Sequence, residues 1–141
     1  MPRMNSSRIR PRAACLAAIG VIGVIALGGC GSSKPAYCTH RSDLSASIKG
    51  LTNLSSIGGL SGLQSQLQKI QSDANSVVSS AKSDFPTETS AITSSVDALS
   101  SAVKALPSSP SVGQIAALAP AAANVVNSVK SFSDATSSKC S

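Results

Sequence analysis

The chain has 141 residues, of which 42% are hydrophobic, 13% charged and 2% aromatic, with a formal net charge of +6. That length suits one folded domain. With no Trp, one Tyr and two Phe, and no basic stripe, a nucleic-acid surface is excluded, because it needs rings to stack on bases and clustered cations to meet phosphates.

The charge is unevenly placed. Residues 1–12 carry Arg3, Arg8, Arg10 and Arg12 and no acid, whereas residues 13–29 carry no charge. Leu16, Ile19, Val21, Ile22, Val24, Ile25 and Leu27 make that second stretch apolar. A basic start, an apolar run and a small-residue exit form the layout of a secretory signal. Its arginines stay cytoplasmic while the run enters the bilayer. No Arg-Arg pair occurs in it, so the general secretory route is expected. The other reading is an uncleaved membrane anchor, but a run of residues 13–29 sits at the bottom of the spanning range.

The run closes on Leu27-Gly28-Gly29-Cys30, which resembles the lipobox of bacterial lipoproteins: Leu, two small residues, then Cys. The resemblance covers the leader and Cys30 only. It implies a thioether-linked diacylglycerol on Cys30, cleavage just before it, and a location on the outer face of the cytoplasmic membrane. Small residues at 28 and 29 let a peptidase grip an extended backbone beside the lipid. Acyl chains bury many methylenes at roughly 0.8 kcal/mol each, so two or three of them anchor stably.

Without residues 1–29 the chain keeps eight basic and six acidic residues, a charge near +2. The basic character therefore belongs to the leader. Ser supplies 28 of the remaining 112 residues, a composition compatible with disorder, so hydrophobic periodicity has to decide. Cysteine usage narrows the reading further. Cys15 lies in the leader and Cys30 is committed to lipid, leaving Cys38 and Cys140 near the two ends. In an exported chain such a pair reads as a disulfide. A metal site beginning at Cys38-Thr39-His40 lacks a second ligand cluster.

Residues 30–37 are expected to be the lipidated cysteine and a short tether, reaching at most about 25 Å from the bilayer. The folded domain is expected over 38–141. A first helix is predicted from Thr39 or Ser42, with Leu44, Ile48, Leu51, Leu54 and Ile57 on one face. Ser42 and Asp43 serve as its capping start, and Gly58-Gly59 as its left-handed end. The second helix is the clearest. Leu60, Leu63, Leu67, Ile70, Ala74, Val77 and Ala81 alternate steps of three and four, a narrow seam that disorder does not produce.

Pro86 is placed to open a third helix, with Ile92, Val96, Leu99, Val103 and Leu106 as its seam and Pro107-Ser108-Ser109-Pro110 as its stop. Ser111-Val112-Gly113-Gln114 fits a capping box. A fourth run follows on Ile115, Leu118, Ala122, Val125, Val126, Val129 and Phe132. Pro120 falls inside it, and a kink without a change of direction is expected there. Turns of about two to five residues between such helices predict an all-α fold, an antiparallel up-down-up-down four-helix bundle closed by one disulfide. An even number of helices puts Cys38 and Cys140 at the same end, whereas three helices would separate them by a helix length.

Chemistry is sparse in this pattern. His40 is the only imidazole, so a Ser-His-Asp arrangement would have to use it with Asp43. An exposed His in the first turn is the simpler reading. Asp84 and Glu88 are closely spaced acids, and a solvated helix start accounts for them. Gly58-Gly59-Leu60-Ser61-Gly62 lacks the Lys of a phosphate loop. No enzyme activity, metal or cofactor is expected. The composition favours a lipid-anchored extracytoplasmic helical module in a structural role or in contact with protein or cell wall. A carrier of a lipid or small apolar ligand is the alternative, with Gly113, Pro120 and the Ala-rich run 116–123 as the place where a helix yields. A Leu- and Val-lined cavity above a few hundred Å3 reverses that order. The mature part resembles the small Ser/Ala-rich helical lipoproteins exported by actinobacteria, through its leader, terminal cysteine pair and texture. That resemblance carries no site motif and implies no functional residue; the expected partner is the membrane, through the lipid on Cys30.

Overall fold

Apolar side chains at steps of three and four draw this chain into helices, and a computed structural model describes it over residues 34–141, apart from the Ser55 side chain. In chain order the elements are α1 (Ala36–Ile48), a 3-10 segment (Lys49–Ser56), α2 (Gly59–Ala81), α3 (Pro86–Lys104), a short α4 (Val112–Ala116) and α5 (Ala119–Cys140). Among the described residues there is no strand, and α1, α2, α3 and α5 are the four long helices. Helix α1 packs on α2, α2 on α3, α3 on α5, and α5 returns to α1 along the least extensive of the four seams.

The core is the predicted seams with few exceptions. Leu63, Leu67, Ile70, Ala74, Val77 and Ala81 of α2 are buried, as are Ile92, Val96, Leu99 and Val103 of α3. From α5 come Ala122, Val125, Val129 and Phe132, and from the first run Leu44, Ile48 and Leu51. Each fully buried Val, Leu, Ile or Phe contributes roughly 1.5–3 kcal/mol relative to exposure, which outweighs the weak helix propensity of the serines between them.

Serine is accommodated by bonding to the backbone. The buried hydroxyls of Thr89, Ser95 and Thr136 donate to the carbonyls of Phe85 (2.8 Å), Ile92 (3.0 Å) and Phe132 (2.8 Å). Ser47 donates to the Asp43 carbonyl at 3.1 Å and also meets the Asp73 carboxylate. Hydroxyls satisfied on their own helix cost little to bury. Among the described residues no buried side-chain polar atom lacks a partner.

The first run, expected as one helix to Ile57, stops as an α-helix at Ile48 and continues as a 3-10 segment to Ser56, with Asn53 outside helical space. Three other boundaries also differ from expectation. Helix α1 starts at Ala36, behind Pro35, so Ser42 lies inside it and caps nothing. The cause is Tyr37, which is 3% exposed; burying a ring is worth more than the roughly 1 kcal/mol of an N-cap. Secondly, α3 ends at Lys104, and Leu106 sits half-buried in the turn that follows. Pro107 disfavours helical dihedrals at the residue before it, which makes the 105–111 connection longer than expected. Thirdly, residues 117–118 separate α4 from α5. Ala117 and Leu118 keep right-handed helical dihedrals, while Pro120 has no N–H to continue the ladder and instead occupies the first turn of α5.

Other local expectations hold. Pro86 opens α3. Gly58 takes the left-handed conformation, φ 71°, between the 3-10 segment and α2. Ser111 and Gln114 form the reciprocal capping box, with the Ser111 N–H donating to Gln114 Oε1 at 2.8 Å and the Gln114 N–H to Ser111 Oγ at 3.2 Å.

Candidate functional site

Two ends of the bundle differ in chemistry. At one end Cys38 and Cys140 are joined, with S–S 2.05 Å and Cα–Cα 5.5 Å. Beside them Tyr37, Phe85 and Phe132, all the aromatic residues of the chain, meet edge to face with centroids 5.5–6.2 Å apart. Arg41 of α1 donates to the Ser133 carbonyl and to Thr136 Oγ1 of α5, each at 3.2 Å. This end is filled and clamped.

The other end is open. A half-open groove of about 590 Å3 lies between the 3-10 segment, α4 and the start of α5. Leu51, Leu54, Val112, Ile115, Ala122 and Val126 supply most of its apolar wall, Thr52, Asn53 and Asn127 its polar points. None of its lining residues is charged.

Local sequence explains the space. From Ile48 the apolar residues step by three, through Leu51, Leu54 and Ile57, the period of a 3-10 helix, in which such side chains eclipse. Thr52 and Ser56 hydroxyls bond back three residues to the Lys49 and Asn53 carbonyls, each at 2.8 Å. Asn53 leaves helical space altogether, at φ −126° and ψ 59°. The segment thus presents a leucine ridge toward α5. On the facing helix Ala119, Ala122 and Ala123 are too short to fill the gap. The capping box closes the start of α4, and α4 packs against the 3-10 segment as the far wall.

The stretch Val112–Cys140 is long and apolar enough to cross a membrane by length and composition, yet only 22% of its most apolar window is buried. Val112, on the rim, is 79% exposed. Compared with known proteins, the chain matches no family model, no curated protein and no solved structure. The site must therefore be read from its own geometry.

The residues singled out in the sequence fall as follows. Cys38 and Cys140 come together as a disulfide. The lipobox Leu27, Gly28 and Gly29 and the lipidation site Cys30 lie outside the described residues. His40 is half-buried on a broad polar basin with Ser72, Asn75, Ser76, Ser79 and Ser80 of α2. Asp43 is exposed, and among the described residues no hydrogen bond joins it to His40. Asp84 is exposed and Glu88 sits in the first turn of α3. The Ala-rich run 116–123, picked out as a place of yielding, lines the groove; the opposite wall was missed. Its signal was the run of threes after Ile48.

Proposed function

We propose that this chain is a non-enzymatic, lipid-anchored extracytoplasmic module that holds one apolar or amphiphilic molecule in the groove beside the 3-10 segment. Cys30 carries the lipid after cleavage behind Leu27, Gly28 and Gly29, and the general secretory route delivers the chain to the outer face of the cytoplasmic membrane. The observation that carries the binding role is a half-open volume of about 590 Å3 walled by Leu51, Leu54, Val112 and Val126, with no charged lining. Volumes of this scale, mostly apolar with a few polar points, hold single small molecules. A cavity of that size and lining moves the carrier ahead of the purely structural role.

The reading includes an up-down-up-down connectivity, in which the tethered end and the groove lie at opposite poles. Its support is pairwise. Tyr37 at the start of α1 and Phe85 at the start of α3 meet Phe132 near the end of α5. Arg41 reaches Ser133 and Thr136, whereas Ile48, further along α1, shares a recess with Val126 and Val129. Gln71 of α2 bonds Ser100 of α3 at 3.2 Å, and Val78, two turns on, lies by Thr93. With Cys30 only a few residues from Cys38, the disulfide pole faces the bilayer. The groove starts roughly 30 Å away, at the other end of α5.

The test is saturable binding of N-phenylnaphthylamine, a neutral apolar probe, to the lipidated protein. Ala123 is exposed on the groove wall, so Ala123→Phe fills the groove without disturbing the core. Expected is single-site binding that weakens about ten-fold or more in the variant at unchanged helicity. Binding that never saturates, or that ignores the substitution, refutes the proposal. A second reading, contact with protein or cell wall, rests on the polar basin around His40 and the serines of α2. Co-sedimentation with wall polymer that is lost on His40→Ala and untouched by Ala123→Phe favours that reading.

A further inference from the structure

Helix α1 gives way to the 3-10 segment at a point where α2 takes hold of it. Had α1 run on as an α-helix, the Ser47 carbonyl would have accepted the Leu51 N–H. In the folded chain that carbonyl accepts from Gln66 Nε2, on α2. Ser47 is buried, and its hydroxyl meets the carboxylate of Asp73, also on α2. One residue later α1 ends, at Ile48, and the 3-10 segment begins at Lys49.

Position 50 is fitted to the same contact. A Cβ on Gly50 would stand 2.7 Å from Gln66 Nε2 and 2.8 Å from its Cδ, so the amide lies where it does because residue 50 has no side chain. One turn back along α2, a Cβ on Gly62 would run into the Ile57 carbonyl. The segment therefore lies close against α2 at both ends, at Gln66 behind Gly50 and at Gly62 behind Ile57. Leu51, Thr52, Asn53 and Leu54, between these two approaches, line the groove, whereas Gln66 does not.

We propose that Gln66 is a positioning residue for the groove: by occupying the Ser47 carbonyl it stops α1 at Ile48 and so sets the wall made by Leu51 and Leu54. This rests on the binding role proposed above and adds the residue that shapes the site from behind. Side chains three residues apart point the same way in a 3-10 turn and diverge by about 60° on an α-helix. With the Ser47 carbonyl released, the Leu51 N–H takes it, the α-helix propagates through position 50, and Leu51 and Leu54 turn away from a common face. Glycine at 50 opposes that propagation, so Gly50 and Gln66 act in the same direction through one contact. A glutamine that merely satisfied a buried carbonyl would affect stability and leave the affinity of the folded chain alone.

The test is a double-mutant cycle read by N-phenylnaphthylamine titration of the lipidated chain, well below its melting midpoint. Gln66→Met keeps the length of the side chain and removes the donor. Gly50→Ala keeps the donor and displaces it. Each substitution is expected to weaken binding about ten-fold at unchanged helicity, and the two together no more than Gln66→Met alone, because both act on one contact. Saturable binding that is absent from the unsubstituted chain overturns the binding role and this assignment with it. Binding that is blocked by Ala123→Phe but unaffected by Gln66→Met overturns the assignment and leaves the binding role standing. Effects of the two substitutions that multiply show that Gly50 acts independently of the amide, which also overturns it. So does a loss of binding that only tracks a loss of helicity, since Gln66 is then a stability residue alone.

Discussion

Reducing the Cys38–Cys140 bond perturbs this molecule at one end only, and its effect can be estimated closely. The cysteines are 102 residues apart in sequence, and closing a loop of that length removes about 4–5 kcal/mol of chain entropy from the unfolded state. Residual structure in the unfolded chain lowers that figure. In the folded chain, Tyr37, Phe85 and Phe132 and the Arg41 contacts still hold α1 to α5, so fraying adds little to the loss. The expected cost is therefore about 3–4 kcal/mol. For a domain of this size one kcal/mol moves the midpoint by roughly 4–8 °C. Far-UV circular dichroism should show a midpoint more than about 10 °C lower in reductant, and below it the near-UV signal of the packed rings should persist. An unchanged midpoint with both thiols counted as free refutes the loop-entropy reasoning. Loss of the ring signal on reduction alone refutes the claim that the aromatic cluster and the Arg41 contacts still hold that end.

Two further substitutions probe the groove end. A Cβ at position 62 would run into the Ile57 carbonyl, so Gly62→Ala should cost about 1–3 kcal/mol, as overpacking does, read as a lower denaturant midpoint; a wild-type midpoint shows that the backbone there yields freely. Ser111→Ala removes an acceptor from the capping box and should cost about 1 kcal/mol locally. Faster amide exchange confined to α4, with weaker probe binding, is the expected result, and exchange rates matching the unsubstituted chain count against α4 as a wall held by its cap.

Much of the fold was legible along the chain because it is written in local chemistry. The seam of α2, the start at Pro86, the turn at Gly58 and the box at Ser111 each depend on a few neighbouring residues, and each stands where expected. The pairing of Cys38 with Cys140 followed from arithmetic on a chain expected to be exported. The misplaced start of α1 has a different cause. Ser42 and Asp43 are good caps, but Tyr37 found a pocket made by Phe85 and Phe132, residues far away in sequence, and the burial outweighed the cap.

Function is where local reading ran out. Leucine spacing alone announces a ridge at Leu51 and Leu54, and alanine spacing a shallow face at Ala119, Ala122 and Ala123. Neither says that the two oppose each other. A cavity is a deficit of volume between elements, and no single element records it. Periodicity, caps and prolines therefore decide which stretches are helical and which face is buried, because those are interactions within a few residues. Packing across the bundle decides what is left unfilled, and the proposed binding role lives in that space.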